Sequence, residues 1–138
     1  MSHTDQLVAN NQQYAESFSG PLPLPPALGL AVVACMDARL NVYGILGLND
    51  GEAHVIRYAG GVVTDDVIRS LAISQRLLGT TEIILIHHTE CGMLTFTDLD
   101  EDVRQSIGRI KASPFVPHKD AVRGFVFDVA TGKLNEVH

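Results

Sequence analysis

The sequence predicts an α/β domain, with a central and mostly parallel β-sheet flanked by helices, preceded by an N-terminal helical arm. Short apolar runs rich in valine and isoleucine alternate along the chain with segments of helical period, which is typical of such sheets. A proline-rich stretch, residues 20–26, separates the first helical segment from the rest. The 138 residues suffice for one compact domain. We therefore predict an arm and linker over residues 1–27 and one domain over residues 28–138.

The arm is predicted to be an amphipathic helix over residues 4–18, with Thr4 and Asp5 near its start. The linker that follows should run extended, because its prolines cannot donate a regular ladder of backbone hydrogen bonds. A tethered apolar face can lie on its own domain or on a neighbouring subunit, and the neighbouring subunit is our hypothesis. Side chains on one stripe of the helix are Leu7, Val8, Asn11, Tyr14, Ala15 and Phe18.

Beyond the linker, each element follows from the period of its apolar residues. Residues 30–35 are apolar throughout, which suits a strand buried on both faces. Gly60 and Gly61 turn the second strand into a helix that Thr64 caps and Gly79 ends. The predicted strands are 30–35, 53–58, 82–88 and 124–129, with 134–137 returning as a hairpin, and the predicted helices are 40–48, 65–78 and 102–111.

Composition disfavours several classes of function. The 16 acidic residues outnumber the 10 basic ones, and no basic run interrupts the net charge of −6, so nucleic acids and anionic membranes are unfavourable partners. The longest apolar stretch, residues 27–36, is about half the length of a bilayer-spanning helix. A secretory signal would require positive charge before its apolar run, but no Lys or Arg precedes Arg39. We predict a cytoplasmic protein that binds neither nucleic acid nor membrane.

Three metal-ligating side chains are predicted to meet at one edge of the sheet. Cys35 ends the first strand, His88 ends the third, and Cys91 lies in the turn that follows. In a parallel sheet, ligands bind beyond the carboxyl ends of the strands. Two thiolates and one imidazole suit zinc, and three protein ligands leave a fourth position for water, as in catalytic sites. Spacing alone leaves two alternatives open, a buried core cysteine beside an incidental thiol and a Cys35–Cys91 disulfide, and a reducing compartment disfavours the disulfide.

Asp37 and Arg39 follow the first predicted ligand closely. A carboxylate near a metal-bound water can accept its proton in a hydrogen bond, and a guanidinium can hold that carboxylate ionised and oriented. Without the neighbouring ligands, the same pair would be an ordinary exposed ion pair of little energetic value.

These residues form motifs that resemble the β-class carbonic anhydrases. Residues 35–39 read Cys-x-Asp-x-Arg and residues 88–92 read His-x-x-Cys-Gly, the paired signatures of that family. Between them, residues 55–61 resemble the family's Arg-Asn-Ala-Gly segment, although Tyr58 stands in place of the Asn. The stretch from Met93 to Asp102 is shorter than the resemblance leads us to expect, which indicates either a compact member or a missing loop.

The resemblance implies that residues 28–138 are a β-carbonic anhydrase-like zinc domain. Zn²⁺ would be bound by Cys35, His88 and Cys91, and an Asp37–Arg39 pair would lie beside it. The implied activity is reversible hydration of carbon dioxide to bicarbonate and a proton by a zinc-bound hydroxide. The family also implies a homodimer or larger assembly. Separately, the turn at Gly60 and Gly61 would expose backbone N–H groups that could bind the anion, or it is simply a tight turn that needs small residues.

Two other functions remain open at this point. Some members of the same family hydrolyse carbonyl sulfide or carbon disulfide, and the motifs do not separate these substrates. A non-catalytic zinc or thiol protein, in which Cys35 and Cys91 sense oxidation, belongs to a different class. The presence of both Asp37 and Arg39 favours the enzyme.

Overall fold

The computed structural model describes residues 2–92 and 98–138. The predicted stretch from Met93 to Asp102 lies partly outside these residues. The strands are β1 (Leu30–Cys35), β2 (Ala53–Tyr58), β3 (Glu82–His88), β4 (Ala121–Phe127) and β5 (Leu134–Val137). The helices are α1 (His3–Glu16), α2 (Val42–Leu46), α3 (Asp65–Leu78) and α4 (Leu99–Ala112), and a 3₁₀ turn spans Ala59–Gly61.

One five-stranded sheet has the order β2-β1-β3-β4-β5. Strands β1 to β4 pair in parallel, and β5 returns antiparallel to β4. The prediction of a mostly parallel sheet flanked by helices is therefore confirmed. Strands β1, β2, β3 and β5 and helix α3 have their predicted bounds, and α3 has the predicted Thr64 cap, whose side chain accepts a hydrogen bond from Val67 N.

Apolar residues pack on both faces of the sheet, so every residue of β1 is buried. Ala31 and Val33 face a cluster that includes Val67 and Leu71 of α3 and Ile110 of α4. The alternate residues of β1, such as Val32 and Ala34, pack in a second cluster with Leu40 and with Val42 of α2. This arrangement places the carboxyl ends of β1 and β3 side by side at one edge of the sheet.

The arm helix α1 begins at a capping box rather than at Thr4. The Ser2 side chain accepts from Asp5 N, and the Asp5 carboxylate accepts from Ser2 N. None of the α1 side chains is buried against the rest of the described chain. The linker nevertheless ends on the domain, since Ala27 N donates to Gly51 O and Leu28 N donates to Glu52 O. Within residues 2–92 and 98–138, no helix is long and apolar enough to cross a membrane.

Candidate metal centre

Parallel pairing of β1 with β3 brings the three predicted ligands together. Cys35 ends β1, His88 ends β3, and Cys91 follows in the next turn. One ligand atom from each residue lies within 4.8 Å of the others. The exposed fractions of these residues are 0% for Cys35, 0% for His88 and 4% for Cys91, so the cluster is shielded from solvent.

The imidazole of His88 is oriented by its neighbour. Nδ1 lies 2.7 Å from Thr89 O, and because a carbonyl only accepts, Nδ1 carries the hydrogen of this bond. The Nε2 lone pair is then available for a ligand. Among the described residues Nε2 has no hydrogen-bond partner although it is buried, and Asp37 Oδ2 lies 3.6 Å from it. A buried nitrogen left with an unused lone pair in this way is suited to ligate a metal ion.

The sulfur atoms of Cys35 and Cys91 lie 3.9 Å apart. A disulfide requires about 2.05 Å, whereas two thiolates on one tetrahedral zinc, with bonds of about 2.3 Å, lie about 3.8 Å apart. The donor set and its spacing therefore suit zinc better than a disulfide. The assignment of these residues as metal ligands stays a prediction, and the structure shows that they are placed to fulfil it.

Asp37 and Arg39 form a tightly paired unit beside the cluster. Asp37 Oδ1 accepts from the backbone N–H of Arg39 at 2.8 Å and from Arg39 Nε at 2.9 Å, and Oδ2 accepts from Nη2 at 2.8 Å. These hydrogen bonds hold the pKa of Asp37 well below its usual range. The carboxylate is consequently ionised and can only accept hydrogen bonds.

Arg39 also connects the two segments that carry the predicted ligands. Its Nη2 donates to Glu90 O at 2.9 Å, immediately before Cys91 in the chain. Glu90 has φ 53°, the left-handed region that a non-glycine residue rarely adopts. The guanidinium thus stabilises a strained turn and aligns Asp37 with the Cys91 segment. Sequence reasoning identified the pair with Asp37 and missed this second contact.

A second arginine, Arg57 near the end of β2, lies in the segment of residues 55–61 that the sequence singled out, but no role was predicted for it. Its Nε and Nη2 donate to Cys35 O at 3.0 and 2.8 Å, and Nη2 also donates to Asp37 O at 2.7 Å. Arg57 pairs with Ala34 in the sheet register, one residue before Cys35. Its position beside the carboxyl end of β1 is the signal that could have identified it.

His87 neighbours His88 on β3 and points away from the cluster, because successive strand residues face opposite sides of the sheet. It is fully buried; Nε2 donates to Gly61 O at 3.1 Å, and Nδ1 lies 3.2 Å from Asp102 Oδ2 of α4 without the alignment of a hydrogen bond. Burial lowers the pKa of His87. Its role is to join the Gly61 turn to the sheet.

Gly60 and Gly61 are both buried, with φ of 72° and 71°. A Cβ on Gly61 would lie 2.9 Å from Ile86 O and 3.1 Å from Cys35 N. The turn therefore packs directly against the main chain of the first predicted ligand, and glycine is required there by space and by backbone conformation. Anion binding by its N–H groups stays a prediction.

Comparison with known proteins gives a consistent result. A family model described as carbonic anhydrase matches residues 30–112. Beta-carbonic anhydrase 1 of Mycobacterium tuberculosis is 61% identical over 161 aligned positions, which cover 99% of this chain and 99% of that protein. Since the alignment is longer than the 138 residues of this chain, the relative has residues without a counterpart here.

Solved structures agree. The carbonic anhydrase of Streptococcus mutans superposes with a TM-score of 0.94 at 41% identity, covering 100% of this chain and 99% of that one. In sequence, a carbon disulfide hydrolase of Saccharolobus solfataricus is also similar, with 40% identity over 101 residues that cover 68% of this chain and 48% of that protein.

Proposed function

Because this chain belongs to the β-carbonic anhydrase family and is a carbonic anhydrase, we propose that it hydrates carbon dioxide reversibly at a zinc ion held by Cys35, His88 and Cys91. The observation that carries this mechanism is the buried cluster of three ligand atoms within 4.8 Å of one another, with the ionised Asp37 beside it. A zinc ion held by these residues would lower the pKa of a coordinated water and so would supply hydroxide.

The residues of this chain perform the orienting steps. Asp37 Oδ2 lies 3.6 Å from His88 Nε2, so it borders the space where the nucleophile must lie. As an ionised acceptor, Asp37 would orient an attacking hydroxide by accepting a hydrogen bond from it. This turns a lone pair of the hydroxide towards the carbon of carbon dioxide. Arg39 keeps Asp37 in this state through three hydrogen bonds.

The product is an anion, and we assign its transient binding to the turn at Gly60 and Gly61. What supports this is the position of the turn, whose residue 61 packs against Cys35 N. Backbone N–H groups at a strand-to-helix turn suit a carboxylate-like anion such as bicarbonate.

The decisive experiment combines stopped-flow carbon dioxide hydration with measured zinc content. We expect the parent enzyme to hold one zinc per chain and to be active, whereas Cys91→Ser should lose most of its zinc. Asp37→Asn should retain zinc and lose about 100-fold in kcat, because the nucleophile is no longer oriented. Asp50→Asn, a matched change at an exposed residue, is the control. A zinc-loaded parent without hydration activity refutes the mechanism, and Cys91→Ser with full zinc refutes the ligand assignment.

A second candidate substrate class is favoured by the likeness to carbon disulfide hydrolases. Carbonyl sulfide and carbon disulfide are linear electrophiles like carbon dioxide, and the same nucleophile and the same Asp37 would serve them. Rates of bicarbonate formation from carbon dioxide and of hydrogen sulfide release from carbonyl sulfide, measured on one preparation, decide between the two. We propose carbon dioxide, and faster hydrolysis of carbonyl sulfide would reverse that choice.

We further propose a homodimer in which the arm and linker, residues 1–27, reach from one domain, residues 28–138, to the other. Helix α1 exposes more than half of each large apolar side chain on its stripe, with values of 66% for Leu7, 68% for Val8 and 56% for Tyr14. Between α3 and α4 lies a groove of about 910 Å³ whose lining includes Ile68 and Phe115. Such an apolar helix face and such a groove are complementary.

We place the enzyme in the cytoplasm, because two cysteines whose sulfur atoms lie 3.9 Å apart without a disulfide are typical of a reducing compartment. Fractionation of the producing cells tests this location, and recovery outside the cytoplasm would contradict it.

A further inference from the structure

Arg57 reaches from β2 to the segment that carries both Cys35 and Asp37. Its guanidinium accounts for three hydrogen bonds at 2.7 to 3.0 Å, all to the carbonyl oxygens of these two residues. The two carbonyls flank Met36, whose own N–H donates to Tyr58 O at 2.8 Å. The end of β2 therefore binds the main chain on both sides of Met36 and at Met36 itself.

We propose that Arg57 is a positioning residue for the hydration reaction. It fixes the main chain that joins Cys35 to Asp37 and thereby sets the distance between the Asp37 carboxylate and the three ligand side chains. This inference rests on the proposed function, since it assigns to Arg57 the geometry on which that function depends.

The two arginines beside the cluster have different tasks. Arg39 lies on the same segment as Asp37, so its three hydrogen bonds fix the carboxylate relative to its own turn and to Glu90. Arg57 lies on another strand, so it fixes that turn relative to the sheet. Without Arg57, Asp37 and Arg39 could move together as a pair while their own hydrogen bonds remained intact.

The chemistry of the side chain supports this assignment. A guanidinium presents its donors in a rigid planar fork, which suits simultaneous bonds to Cys35 O and Asp37 O. A lysine ammonium carries the same charge as a compact point and has no such fork. A misplacement of about 1 Å at a reacting group can lower a rate about 100-fold. Lysine at residue 57 should therefore fail to replace arginine despite conserving charge.

The first test measures kcat, KM and zinc content of the zinc-loaded, full-length Arg57→Met and Arg57→Lys enzymes. We expect kcat to fall about 10- to 100-fold in both, with KM changed by less than about twofold and zinc content unchanged. Arg123→Met is the matched control. Arg123 is an exposed arginine in the first half of β4, and its side chain pairs with Glu136 of β5. Parental kcat in Arg57→Met overturns the proposal, as does a loss of zinc that explains the lost activity. If Arg57→Met does not fold, Arg57→Lys decides by the same criteria.

A double-mutant cycle separates positioning from a general structural effect. If Arg57 acts through Asp37, adding Arg57→Met to Asp37→Asn should lower the residual kcat less than about threefold, because the oriented carboxylate is already lost. A full additional loss in that background overturns the proposal. An inactive zinc-loaded parent would overturn the proposed function as well, whereas an active parent with unaffected Arg57 variants would overturn only this inference.

Discussion

Both oxygens of the Asp37 carboxylate are occupied by Arg39, through one main-chain and two side-chain hydrogen bonds. The bidentate side-chain contact is of the kind that makes charge-assisted hydrogen bonds strong. Side-chain hydrogen bonding is the largest contribution that lowers the pKa of Asp37, followed by hydrogen bonding from the backbone of Arg39. The state of this carboxylate is thus determined mainly by Arg39.

Replacing Arg39 should raise the pKa of Asp37. In the parent, ionised Asp37 favours the folded state above the ordinary pKa near 3.8, and this contribution is lost as the pH falls through the lowered pKa. In Arg39→Gln the bidentate guanidinium contact is lost while the backbone N–H of residue 39 remains, so the folded pKa should move towards the unfolded value and the contribution should shrink. The carboxyl ¹³C shift of Asp37 in the zinc-free protein, followed by NMR from pH 7 downwards, should begin to change at a higher pH in the variant. Arg123→Gln is the control, and coincident titration curves for all three proteins would contradict the prediction.

The sequence predicted which side chains lie close together at this centre, but it did not predict the hydrogen bonds that the two arginines donate to backbone carbonyl groups. Cys35, His88 and Cys91 were placed together because the carboxyl ends of parallel strands meet at one edge. The contacts of Arg39 with Glu90 O and of Arg57 with Cys35 O were not predicted. They depend on which carbonyl groups the turns present, and that follows from backbone conformations such as the positive φ of Glu90. Such backbone conformations cannot be predicted from the residue types of a motif alone.

At the scale of whole elements, the largest difference between sequence and structure concerns β4. The sequence predicted a strand over residues 124–129, whereas β4 spans Ala121–Phe127. Gly124 resembled a boundary, but it pairs with Leu85 in the middle of the ladder. The reason is packing, because a Cβ on Gly124 would collide with Val103 Cγ1 and approach Ile107 Cδ1 of α4 at 3.0 Å. Glycine here permits close approach of a helix to the sheet.

Gly124→Ala should therefore destabilise the protein by about 1 to 3 kcal/mol, because α4 must move away from β4. Gly108→Ala in α4 is a matched substitution for which we expect the opposite change in stability. A Cβ there has nothing within 4 Å, so alanine should stabilise the protein by about 1 kcal/mol through its higher helix propensity. Urea unfolding of the two variants and the parent gives both free energies. Equal midpoints for the two variants would show that the contact of α4 with β4 does not require glycine.

At the scale of the whole molecule, the arm and the groove have complementary charge as well as complementary apolar surfaces. The first 38 residues contain no Lys or Arg, and α1 carries Asp5 and Glu16. The groove between α3 and α4 is lined by Arg69, Arg76 and Arg109, in a chain whose net charge is −6. In the proposed dimer the acidic arm of one copy would therefore meet the groove arginines of the other, and the apolar stripe of α1 would leave water on binding.

Leu7→Glu should shift the protein from the proposed dimer to monomer, because it places a charge on the apolar stripe that would enter the groove. Gln13→Glu adds the same charge to the opposite side of α1 and should leave the dimer intact, so the pair separates burial of the stripe from a general effect of charge. Sedimentation velocity at several protein concentrations measures both variants against the parent. Added salt should weaken the parental dimer only modestly, since burial of apolar side chains contributes most of the association and the arginines mainly orient it. A dimer in Leu7→Glu as stable as that of the parent would place the subunit interface elsewhere on the domain.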